Sequence, residues 1–275
     1  MAATAGAEPA VTAVRDSNRA HAMILRYLLL TALRDRLFAV MLLALAAIWL
    51  LAVFAGGTSI VEDAQSAAAF AAFGTRLLVV LGMVLFVALH VRRLLDSREL
   101  HLLLSRPLAR PRFVVTYWAS FALVALGLSL AAGGAVWGTG PAVLDPAGLA
   151  AWTATLALEA AVMTAFALFV ALGLDSAIAS VLAAAGFYVL ARMLGVLLAI
   201  TRSELHPGGA FGDWMGGAVS ALAMLLPRLD RFAPGTWPVH GLGDASGLGL
   251  VAVQGVLYTA LLVAASVFDF NRRAL

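Results

Sequence analysis

The chain has 275 residues, 63% of them hydrophobic and 12% charged, with a formal net charge of +3 and a mean hydropathy of +0.98. A soluble domain carries about 25% charged residues, so half that share excludes an ordinary water-soluble enzyme and, with apolar runs of bilayer length, points to a polytopic membrane protein. Cysteine and lysine are both absent, which excludes disulfides, thiolate metal sites and the Gly-x-x-x-x-Gly-Lys phosphate loop.

In chain order, the first twenty residues lack the apolar core of a cleavable signal, so insertion is expected to be directed by the first membrane helix. The stretch "SNRAHAMILRYLLLTALRDRL" mixes leucines with spaced arginines. It is too charged to cross a bilayer and reads as an amphipathic interfacial helix, the alternative being a disordered basic arm. Six apolar runs follow: Leu37 to Ala55, Ala67 to Val91, Phe113 to Val136, Ala147 to Gly173, Ser176 to Ile200, and Leu248 to Phe268. Backbone polar groups in hydrocarbon must bond within their own segment, so each run is expected as a helix. The expected fold is therefore an all-α polytopic membrane protein of one transmembrane domain, residues 1–275. An arm (1–36), a charged loop (92–112) and a far loop (201–247) are its only sizeable extramembrane parts.

All 18 basic residues are arginines, and thirteen of them fall on one side of this arrangement: Arg15, Arg19, Arg26, Arg34, Arg36, Arg92, Arg93, Arg98, Arg106, Arg110, Arg112, Arg272 and Arg273. The other side holds Arg202, Arg228 and Arg231. The positive-inside rule then places both termini in the cytoplasm of a bacterial inner-membrane protein. The basic pI is thereby assigned to topology, and no nucleic-acid partner is expected.

The segment "RRLLDSRELHLLLSRPLARPRF" (Arg92 to Phe113) interrupts the apolar sequence between the second and third spans. Asp96 can cap a short helix, with Glu99 returning the bond as in a capping box. Leu100, Leu103 and Leu104 share one face, and Pro107 ends the run. Nine residues are marginal as an isolated helix. Support could come from lipid phosphates beside the arginines or from a docked partner.

This segment resembles the one that joins the second and third spans of type-2 ABC-transporter permeases. The matching residues are Glu99, Leu102 to Leu104, Ser105-Arg106-Pro107, Arg110 and Phe113. The interfacial helix, the six spans and the tail "FDFNRRAL" are similar to that family as well. "LLPRLDRFAPGTW" is similar to its branch linked to nitrous-oxide-reductase and multicopper-enzyme maturation. The resemblance implies a coupling helix seated in a soluble ATPase subunit, with polar contacts from Asp96, Arg98, Glu99 and His101. It implies a second, smaller contact at the turn "GLDSAI" around Asp175. It also implies a second permease copy as partner, export as the direction, and ATP with magnesium on the partner chain only. On its residues alone, Asp175 reads as an N-cap of the fifth span.

Three ionisable residues fall within spans: Arg76, Glu159 and Arg192. A charge at membrane depth needs a partner, so Glu159 is expected to pair with Arg192 or Arg76. Such a pair would lock helices together or, with one net positive charge, form part of a path for an anionic group. In the far loop, "DWMGGAVSALAMLLP" offers Asp213 as an N-cap and Pro227 as a stop, a run too short to span and expected to be re-entrant or interfacial. His206 and His240 could approach one another, without other metal-ligand spacing around them. No catalytic, cofactor or metal residues are expected in this chain. An ion-gradient transporter and a non-transporting membrane subunit are the alternatives to the ATP-driven reading.

Overall fold

A computed structural model describes residues 26, 30–31, 34–58, 63–96, 110–201, 203, 209–243 and 246–272. It contains α1 (Arg36–Gly56), α2 (Asp63–Asp96), α3 (Arg110–Trp137), α4 (Pro146–Gly173), α5 (Ala177–Thr201), α6 (Ala210–Leu225), α7 (Trp237–His240) and α8 (Ser246–Arg272). Single 3-10 turns occur at Pro141–Val143 and Leu229–Arg231. Six helices, α1 to α5 and α8, are long and apolar enough to cross a membrane, and no strand occurs among the described residues. The chain is an all-α polytopic membrane protein. The bundle has a basic end, carrying Arg36, Arg92, Arg93, Arg112 and Arg272, and a far end, carrying the Leu229–Arg231 turn and α7.

Helix starts follow local chemistry. Asp35 caps α1, its carboxylate accepting from the Leu37 N–H at 2.9 Å, and the same side chain receives Arg93 at 3.2 Å. One residue therefore ties the start of α1 to the end of α2. Asp145 caps α4 by accepting from Gly148 N–H at 2.6 Å, with Pro146 in the first helical position, where its missing N–H is harmless.

α4 is the centre of the molecule and packs against α2, α3, α5, α7 and α8. In its most apolar 18 residues 67% are buried, against 11% for α1, although α1 is the most apolar of the six spans. In lipid, apolarity does not select the interior. Close packing does, and it favours small residues. Ala160, Ala167 and Ala171 of α4 are fully buried, as are Ala68 and Ala72 of α2 and Ala125 and Ala132 of α3.

The structure corrects three local expectations. The second span is longer than its apolar run: α2 has 34 residues, or about 51 Å at 1.5 Å per residue. It continues past Val91, so Asp96 is its last residue. Asp175 does not cap α5. That bond comes from Ser176, whose Oγ accepts from the Ala179 N–H at 3.3 Å, because Ser176 is the residue directly before the first helical position. α6 starts earlier than Asp213, with Gly209 at its N-cap at φ 86°; Asp213 sits in the first turn. α6 ends at Leu225, shortly before Pro227. Of the expected interfacial helix, Arg26, Leu30, Thr31 and Arg34 are helical, and the remainder lies outside the described residues.

Candidate functional site

The intramembrane charges form one buried centre. Arg192 on α5 and Glu159 on α4 pair at 3.2 Å, and Glu159 is fully buried. The same Arg192 Nη1 donates to the backbone carbonyls of Leu229 and of Phe232, the latter at 2.7 Å. Arg76 on α2 is also buried and donates from Nη1 to the next carbonyl, Ala233, at 3.0 Å. Consecutive peptide units of one far-end segment thus take an arginine each. Tyr188, one turn before Arg192 on α5, lies within electrostatic reach of Glu159, Arg76 and Arg192.

The segment that supplies these carbonyls folds down into the bundle. Leu229, Phe232 and Ala233 are fully buried. Arg76 lies about 13 residues, or ~20 Å, along α2 from its far-end start, so the loop reaches well inside. Ala233 adopts φ 42°, a left-handed conformation that costs a residue with a Cβ about 1–2 kcal/mol. That turn presents its carbonyl to Arg76 while its N–H donates to Thr155 Oγ1 of α4 at 3.2 Å. Arg228 and Asp230 pair within the segment at 2.8 Å, and the Asp230 carboxylate rests on Gly195 of α5, where any Cβ would collide with it. α7 continues the strap: the Asp145 N–H donates to Pro238 O at 2.9 Å, and the Trp237 carbonyl sits where a side chain at Gly148 would be.

Of the two pairings expected for Glu159, with Arg192 or with Arg76, the structure forms the one with Arg192. The sequence reading missed the carbonyls of Leu229, Phe232 and Ala233, together with Thr155 and Tyr188. Every residue has a carbonyl, so these acceptors carry no side-chain signature. The one available signal is the spacing of Leu229 and Phe232 among charges and prolines in "PRLDRFAP", two apolar anchors in an otherwise polar loop.

At the basic end, Arg92 of α2 gathers two of the residues implied as ATPase contacts. It meets Asp96 at 3.0 Å and Asp175 at 4.0 Å, and donates to Leu174 O at 3.3 Å. The end of α2 and the α4–α5 turn are thereby joined. Asp175 has a fully exposed side chain. Behind them, Phe113 is buried against Tyr117, with centroids 4.3 Å apart, and stacks on Phe270 of α8 at 5.8 Å. Arg98, Glu99 and His101 lie outside the described residues, as does His206. Among the described residues no group of three or more His, Asp or Glu side chains is placed to hold a metal ion.

No protein-family model matches this sequence, and no curated protein matches it significantly.

Proposed function

We propose that this chain is the membrane-spanning permease subunit of an ABC transporter, working as a dimer of permeases with a separate soluble ATPase and moving a substrate across the bacterial inner membrane. The observation that carries the reading is the Arg92 junction. The charged loop after Asp96 and the turn at Asp175 are the two places where the resemblance implies ATPase contact, and Arg92 ties Asp96, the last helical residue before that loop, to the turn. A partner that displaced the loop would pull on α2 through Asp96 and on α4 and α5 through Leu174 and Asp175. Phe113 and Phe270 would pass the displacement to α3 and α8. The direction implied by the resemblance is export.

The test is retention of soluble proteins by the full chain, extracted from its native membrane in mild detergent and compared with Glu99→Arg. The reading expects an ATPase bound to the wild-type chain and lost from the variant. A well-folded wild-type chain that holds no ATPase overturns it.

A further inference from the structure

We infer that the buried centre of Arg76, Glu159, Arg192 and Tyr188 is an oxyanion-binding site, closed here by the carbonyls of the Leu229–Ala233 strap standing in for the anion's oxygens. The class of ligand is a phosphate- or sulfate-like group, free or on a lipid head group. This goes beyond the permease reading and requires no ATPase.

Three observations carry it. First, two guanidiniums face one carboxylate, and the nearby Asp230 is already paired with Arg228, so one positive charge is answered only by neutral carbonyl dipoles. A carbonyl dipole leaves a guanidinium's charge unneutralised, whereas an oxyanion both neutralises it and matches its planar fork of donors. Second, the strap leaves the centre incompletely satisfied. Arg76 Nε, Tyr188 Oη and Glu159 Oε2 are all buried and make no hydrogen bond of good geometry; Tyr188 meets Arg76 and Glu159 only in side-chain contacts that fall short of it. Buried polar atoms are nearly always paired in native structures. An oxyanion offers Arg76 Nε and Tyr188 an acceptor of better geometry than they have in each other and in Glu159, and a hydroxyl on the ligand would answer Glu159. Third, the two arginines grip adjacent peptide units, Phe232 and Ala233, so their donors already converge on neighbouring oxygens.

The strap is built to stay shut until displaced. Withdrawing it exposes Leu229 and Phe232, both fully buried. What holds its backbone to the centre is the arginine bonds themselves and the single Ala233–Thr155 bond. An anion that takes the arginines removes most of those anchors at once.

The absence of cysteine in the chain permits a clean test with Ala233→Cys, a small change at a fully buried position. The full-length variant in phosphatidylcholine nanodiscs is alkylated with a membrane-impermeant maleimide in sodium chloride and in inorganic phosphate at equal ionic strength. A third sample in chloride contains phosphatidic acid in the disc. Occupation of the site shifts the strap toward its withdrawn position, so the alkylation rate is expected to rise about fivefold or more. A response to free phosphate identifies a soluble oxyanion, and one confined to phosphatidic acid identifies a lipid head group. Arg192→Gln in the same background should abolish the response. Tyr188→Phe, which leaves the carbonyl bonds intact, should weaken it and serves if the arginine variant does not fold. Equal rates in all three samples overturn the proposal, as does a response that survives both Arg192→Gln and Tyr188→Phe.

Discussion

Arg192 places a single terminal nitrogen among three oxygens, one from Glu159 and two from the strap, so its neighbours cannot be changed independently. Removing one partner of a buried ion pair leaves the other charge uncompensated, at a cost of about 3–5 kcal/mol. Glu159→Gln is accordingly expected to destabilise the chain by about 3 kcal/mol. Arg192→Gln alone should cost at least as much, because two carbonyls also lose their donor. The double variant should recover part of the loss, and a double-mutant cycle on unfolding in detergent reads that coupling. Simple additivity would show that the pair is not coupled. Arg92 is a different case. Its partners Asp96 and Asp175 are solvated, and exposed ion pairs contribute little. Arg92→Gln should leave unfolding within about 1 kcal/mol of wild type while impairing the proposed ATP-driven transport. An unfolding loss as large as that of Glu159→Gln would make Arg92 a structural residue instead.

Among the elements, α4 and α5 show how one residue at a helix start decides the neighbourhood. Gly148 lies in the first turn of α4, where α7 passes so close that an added Cβ collides with the Trp237 carbonyl. Gly148→Ala is expected to cost about 1–3 kcal/mol, as overpacking does, and to loosen α7. Gly186, in the middle of α5, meets nothing within 4 Å. There alanine should be neutral or stabilise by about 0.5–1 kcal/mol through helix propensity. Melting temperatures of the two purified variants should move in opposite directions or differ clearly in size. Ser176→Ala removes the α5 cap and should cost about 1 kcal/mol, whereas Asp175→Ala should leave melting unchanged.

For the whole molecule, an even number of spans puts the two ends of the bundle's chain on the same side, and the positive-inside rule makes the cytoplasm the expected side. The cysteine-free background makes this measurable. In intact cells Thr58→Cys and Ser203→Cys should react with an impermeant maleimide, and Asp96→Cys only after permeabilisation. The reverse pattern would invert the orientation and place the Arg92 junction outside, where no cytoplasmic ATPase could reach it.

The sequence by itself determined the class, the six spans and most of their ends. Those depend on local quantities: apolar length, the need of each backbone segment to bond internally, and breakers such as Pro146. It also determined that Glu159 must find an arginine, since a lone charge at that depth is too costly. It could not choose between Arg76 and Arg192, because the choice depends on how helices rotate about their axes. Asp96 and Asp175 were singled out from separate segments, and the residue that joins them, Arg92, looked like one of many topological arginines until α2 proved long enough to carry it beside Leu174. Only the tertiary structure decided that α4, and not the more apolar α1, is central, since lipid rewards greasy surfaces as readily as the interior does. Only it brought Leu229, Phe232 and Ala233 to the arginines, because a carbonyl is common to every residue and acquires a role solely from where the chain turns.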